Sequence, residues 1–141
     1  MQEYSYTLAL RFWHPSIDPT TITDELGISP THSWEAGKPR VTPKGTQLDG
    51  VNRESYWSAH PSWQGWRNAQ EIQAEDAILE LLPRLSPHRA FIQQILISGG
   101  RGMIQISSHG TGNYALVLPP ELLAQCSELG LSFAHDVYPV E

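Results

Sequence analysis

The chain has 141 residues, which fits one domain that buries roughly two thirds of its unfolded surface, so no disulfide or metal staple is needed. The one cysteine, Cys126, excludes an internal disulfide and any Cys-x-x-Cys redox or metal motif. Nine Lys and Arg against fifteen Asp and Glu give a formal charge of -6, which repels phosphate backbones and argues against nucleic acid or an anionic membrane as partner. The start, MQEYSY, has no basic segment followed by an apolar run, and no apolar stretch nears the roughly 20 residues that span a bilayer. A soluble, cytoplasmic protein is expected.

From Tyr4 to Trp13 the residues alternate, with Tyr4, Tyr6, Leu8, Leu10 and Phe12 on one face and Ser5, Thr7, Ala9 and Arg11 on the other. That is the period of a half-buried strand. Asp18 can then cap a short helix, Pro19 suits its first position, and Gly27 stops it, since the left-handed exit favours glycine. From residue 29 to 54, prolines and glycines punctuate the chain every few residues, and a long irregular loop is expected. Between Ala36 and Arg53 the loop holds Lys38, Arg40, Lys44 and Arg53 against the single acid Asp49, so a basic segment lies on an acidic chain. It either holds an anionic group or is a solvated loop.

Tyr56–Ser58 reads as a short strand leading into YWSAHPSWQGW, which carries three of the five tryptophans, Trp57, Trp63 and Trp66. Two readings stay open. Either Trp57 faces inward from its strand while Trp63 and Trp66 cover the end of the sheet, or Trp63 and Trp66 are exposed beside Trp34, Lys38 and Arg40 as interface anchors. A leucine-rich helix is expected over about 70–85, beginning nearer Ala74 or carrying Glu71 and Glu75 at its edge. Ala90–Ser98, Met103–Ser108 and Tyr114–Leu118 read as three strands of an antiparallel meander, with Gly-rich turns at GGRG and HGTGN. Pro119-Pro120 open a helix whose stripe is Leu122, Leu123, Cys126 and Leu129, Gly130 stops it, and Leu131–Tyr138 alternates as a last strand. The exits DELGIS and SELGLS match, so two strand-helix-strand units of similar grammar are expected.

No motif supports catalysis. Ser98-Gly-Gly-Arg-Gly102 lacks the Gly-Lys-Ser/Thr ending of a P-loop and precedes a strand pattern, so a hairpin turn is the better reading. The six histidines are not spaced as ligands, and no metal or cofactor is expected. His135 and Asp136 are strand neighbours that point to opposite faces and cannot share one site. Cys126, on an apolar stripe, reads as a buried hydrophobe.

IDPTTITDELGISPTHSWEAGK, followed by the Trp57 strand, a leucine-rich helix ending near Pro83 and the closing LGLSFAHDVY, resembles the bacterial domain-of-unknown-function 4279 family. The likeness runs from about Tyr4 to Tyr138 and rests on the order of short motifs. Glu35-Ala36-Gly37 departs from the basic-residue–glycine step of that pattern, with Lys38 following the glycine instead. The resemblance implies the fold and a bacterial source, carries over no catalytic residue, and points by analogy to immunity or accessory proteins of toxin and defence loci.

The expectation is therefore one α+β domain over residues 1–141, ferredoxin-like or a related antiparallel sheet with helices packed on one face. The expected function is non-catalytic binding of a partner protein, as an immunity or accessory factor, through Trp34, Lys38, Arg40, Trp57, Trp63 and Trp66. The alternative is a ligand-sensing module that holds a small anionic molecule between the basic loop and the tryptophans.

Overall fold

The computed structural model describes residues 3–139. Its centre is the strand β1, Ser5–His14, which buries every second side chain as its sequence alternation requires. Tyr4, Tyr6, Leu8, Leu10 and Phe12 form one wall of the hydrophobic core. The tyrosine hydroxyls reach polar partners: Tyr6 Oη donates to the Ile72 carbonyl at 2.7 Å, and Tyr4 Oη accepts the Ala74 amide at 3.2 Å.

The short helix α1, Thr20–Leu26, follows, with Asp18 Oδ1 accepting the Thr20 amide at 3.0 Å and Gly27 leaving it at φ 67°. Next come β2 (His32–Trp34), β3 (Pro39–Val41), β4 (Gln47–Val51), β5 (Ser55–Ala59) and β6 (Arg67–Asn68). The segment 29–54 is thus more ordered than the irregular loop its composition suggests. β3 and β4 pair as a separate two-stranded arm, closed by Thr42-Pro43-Lys44-Gly45, where the Gly45 amide donates to the Thr42 carbonyl at 2.8 Å. Proline second and glycine fourth suit that turn, a signal available in the sequence but masked by the absence of alternation in such short strands.

The helix α2 spans Ala74–Leu85, so the later of the two expected starts is the right one. Glu75 sits in its first turn, and Glu71 lies ahead of it, paired with Arg67 at 3.3 Å. A 3-10 turn at Ser86–His88 joins it to α3, Arg89–Ile97. Here the expected strand at Ala90–Ser98 is corrected to a helix. Three isoleucines and a phenylalanine favour a strand by propensity, yet Ile92 and Ile95 are buried three residues apart against the core, so tertiary packing overrides propensity. Ser98–Gly102 is accordingly a helix exit rather than a hairpin turn, with the Gly100 amide donating to the Ile95 carbonyl at 2.8 Å.

The strand β7 (Arg101–His109), the helix α4 (Pro120–Leu129) and the strand β8 (Leu131–Val137) complete the chain. Leu122, Cys126 and Leu129 of α4 face the core, Leu123 does not, and Gly130 leaves the helix at φ 73°. The expected strand at Tyr114–Leu118 is also corrected. Tyr114, Leu116 and Leu118 alternate against the core, but the segment holds no place in the sheet: Tyr114 stacks on Tyr4 at 4.8 Å, and the Val117 amide donates to Glu75 Oε2 at 2.8 Å beside the start of α2. Alternation reports a half-buried extended chain, and without a free strand edge beside it that chain makes no ladder.

The sheet runs β2-β5-β1-β7-β8, with β6 beside the first residues of β1. β5 lies antiparallel between β1 and β2, and β7 is antiparallel to β1. Only β8 runs parallel to its neighbour, β7, because α4 carries the chain back to the same end. The result is the expected α+β fold, with a mixed, mostly antiparallel sheet, and the core residues of the helices pack on one of its faces. Of the two expected strand-helix-strand units, the second loses its first strand with Tyr114–Leu118, and what the two share is the glycine exit of α1 and α4. Among the described residues no helix is long and apolar enough to cross a membrane.

Candidate functional site

Two exposed regions flank the sheet. The first is the β3–β4 arm. Its base is fixed by Ser55, whose buried Oγ donates to the Ile17 carbonyl at 2.5 Å and accepts the Ala36 amide at 2.9 Å. Asn52 adds a bond from Nδ2 to the Glu35 carbonyl at 2.9 Å. Beyond this base the arm carries Val41, Leu48 and Val51, which are 55, 40 and 53 % exposed, and Trp34 stands beside it at 45 %. Apolar side chains left in water on a short hairpin contribute little to the core, and the same segment carries Lys38, Arg40, Lys44 and Arg53. A half-open cleft lies on each side of the arm. One, of about 640 Å³, is lined by Trp34 and Arg40; the other, of about 390 Å³, by Trp34 and Lys38.

The second region is the face of the sheet away from the helices. Register places Trp34, Tyr56, Trp13 and Arg101 in one row across β2, β5, β1 and β7. Trp34 meets Tyr56 at 4.5 Å in a tilted contact, Tyr56 meets Trp13 at 5.4 Å, and the guanidiniums of Arg11 and Arg101 each lie 4.6 Å from the Trp13 ring. Arg101 is neutralised by Glu54 at 3.4 Å. Arg11 is held differently: Nε donates to Tyr56 Oη at 2.8 Å and Nη1 to Gln105 Oε1 at 2.6 Å. It borders a groove of about 420 Å³ whose floor includes Thr7, Ser58 and Ser107 and whose far end carries Trp66, Asp136 and Tyr138.

The six residues singled out from sequence do not form one surface. Trp34, Lys38 and Arg40 come together around the arm, although Lys38 and Arg40 line different clefts. Trp57 is fully buried, meets Phe12 at 5.9 Å, and donates from Nε1 to Thr23 Oγ1 at 3.0 Å, so its role is packing. Trp63 is half-buried, set edge-on to Tyr6 at 5.5 Å with the Arg67 guanidinium 4.8 Å from its ring, and its buried indole N–H has no partner among the described residues. Trp66, 48 % exposed, stands against His109 at 4.6 Å and Tyr138 at 5.9 Å, at the opposite end of β1 from Trp34. Trp57 therefore faces inward and Trp63 packs against the core, as the packing reading expects, whereas Trp34 and Trp66 are exposed. Sequence reasoning missed Arg11, Tyr56 and Gln105, although the polar face of the first strand, Ser5, Thr7, Ala9 and Arg11, already marked one side of that groove.

His135 Nε2 lies 2.6 Å from Ser108 Oγ, which is 2.9 Å from Tyr114 Oη, while Asp136 points to the other face and lines the groove. Ser108 is fully buried, so this hydroxyl–imidazole contact ties β7 to β8 and to Tyr114 and offers no nucleophile to solvent. Burial holds the His135 imidazole below its ordinary pKa despite the opposing Asp136 carboxylate, and burial likewise lowers that of His14. Burial pushes the Cys126 thiol up, which keeps it protonated and unreactive. Among the described residues no group of three His, Cys, Asp or Glu side chains is placed to hold a metal ion.

A mostly antiparallel sheet with helices on one face and an exposed two-stranded arm defines an α+β protein. A family model, Domain of unknown function (DUF4279), matches residues 3–140, nearly the whole chain. The chain belongs to that family. No curated protein and no solved structure matches it.

Proposed function

We propose that the protein is a non-catalytic binding protein of the bacterial cytoplasm that docks a partner protein on the β3–β4 arm, as an immunity or accessory factor does. The observation that carries this reading is the set Trp34, Val41, Leu48 and Val51, each exposed on or beside the arm, in a segment that also carries four basic residues. Interfaces combine an apolar centre with a charged rim, and aromatic and arginine residues are enriched in them. The segment from Ala36 to Arg53, which contains the arm, bears a net charge of +3 on a chain of -6, so the fitting partner presents acidic groups around an apolar patch. A small anionic ligand on Lys38 and Arg40 is the weaker reading, because these two side chains border separate open clefts and do not converge.

The test is a photo-crosslinking amino acid installed at Leu48, compared with one at Leu123, which is similarly exposed but lies on α4. Irradiation in the native cells should give a discrete heavier species from position 48 alone. Equal crosslinking from both positions, or none from position 48, would sink the docking assignment.

A further inference from the structure

The groove on the open sheet face is not used by the arm, and its cation has no charged partner. We infer that this groove is a binding site for a small organic carboxylate, received by the guanidinium of Arg11.

Three observations carry it. Arg11 is immobilised before any ligand arrives: two aromatic rings, Trp13 at 4.6 Å and Tyr56 at 5.3 Å, flank its guanidinium, and two hydrogen bonds engage Nε and Nη1. A guanidinium has five N–H donors in a planar fork, and no described acceptor engages Nη2, so donors remain for a ligand. The charge is also uncompensated. Ion pairs join Arg67 to Glu71 and Arg101 to Glu54, whereas no carboxylate among the described residues comes within ion-pair distance of Arg11. A purely structural arginine in this place would be expected to meet an acid. The acceptor at 2.6 Å is instead Gln105, a neutral amide that orients the guanidinium without cancelling its charge.

The third observation is the shape and lining of the groove. Its volume of about 420 Å³ is that of a small-molecule site. It contains one permanent cation, and Asp136 lines its other end, so a monoanion is matched and a phosphate dianion is repelled. Carboxylate geometry also fits two N–H donors of one fork. Trp66 and Tyr138, set edge to face, supply apolar ring surface at the far end, which suits a ligand that bears a ring as well as the carboxylate.

Benzoate is the probe, with benzamide and inorganic phosphate as controls, read by NMR at the Arg11 Nε–H and by calorimetry on the whole chain. Benzoate should produce a saturable shift at that proton, with benzamide weaker by more than about tenfold and phosphate showing no saturation, as expected for loss of charge-assisted hydrogen bonds. The variant Gln105→Glu places a carboxylate where the amide oxygen stands and should weaken benzoate more than about tenfold while the melting temperature holds or rises. If that variant does not fold, Arg11→Lys, which keeps the charge and removes the fork, is read for the same loss. No saturable benzoate shift, benzamide binding as tight as benzoate, phosphate binding as tight as benzoate, or undiminished benzoate binding by the variant each overturns the assignment.

Discussion

Replacing Trp57 and Trp34 by alanine, one at a time, separates the tryptophan that packs from the one that stands in water. Trp57 is fully buried and its indole N–H is bonded to Thr23 Oγ1 at 3.0 Å. Trp57→Ala therefore removes a large buried ring and that hydrogen bond, a change that costs about 4 kcal/mol. In a chain of 141 residues, at roughly 3 °C per kcal/mol, the melting temperature should fall by roughly 12 °C. Trp34 is 45 % exposed, so area bookkeeping leaves it about half that contribution, and its place on the edge strand β2 lets water replace the ring without a cavity. Trp34→Ala should cost at most about 2 kcal/mol, or roughly 6 °C. Differential scanning calorimetry at neutral pH reads both. Equal losses from the two variants would mean that Trp34 is a core lid, and the case for the arm as an exposed surface would fail with it.

Three further outcomes are expected. Chemical melts from pH 7.5 to pH 5 should show stability falling as the solution is acidified. His14 and His135 have folded pKa values depressed by burial, so below the ordinary histidine value of about 6.5 the unfolded state binds the extra protons; a flat profile in His14→Gln/His135→Gln would confirm the source, and an unchanged slope would refute it. Gly102→Ala should cost about 1 to 3 kcal/mol, because its new Cβ would lie 2.6 Å from Leu131 Cδ2 and 2.7 Å from Phe12 Cε1, whereas Gly112→Ala, with nothing within 4 Å, should leave the melt unchanged. Ser55→Ala strips the Ile17 carbonyl and the Ala36 amide of their shared partner and should cost about 1 to 3 kcal/mol, with faster amide exchange at Ala36 as the sign that the base of the arm has loosened.

The fold was most legible where one face of an element is buried and the other is wet. β1 was readable residue by residue because its central place in the sheet puts every even-numbered side chain from Tyr4 to Phe12 into the core. The glycine exits at Gly27 and Gly130 were readable because left-handed backbone there favours the residue without a Cβ. α3 was not, because its two buried isoleucines lie among residues of strand propensity and only the packing against the core decides between the two periods. Tyr114–Leu118 failed for the complementary reason: alternation was present, but whether a neighbouring strand edge is free is a property of the whole sheet.

The candidate site was legible in its parts and not in its grouping. Composition alone marked the basic segment and Trp34, while the distance of Trp66 from them depends on which end of β1 receives β6. Arg11 was visible as a member of the polar face of β1, but its significance comes from Tyr56 and Gln105, which are 45 and 94 residues away in sequence. Such a cluster is assembled by strand register and leaves no local motif.

The central claim is that the arm is the docking surface for a partner protein. It is tested most directly by purifying the tagged protein and its Val41→Ser/Leu48→Ser/Val51→Ser variant side by side from the native cells, after confirming equal melting temperatures. A companion protein should accompany the original chain in stoichiometric amount, be released by raised salt, and be absent from the variant. A companion held equally by both, or none recovered with the original chain, would contradict the claim.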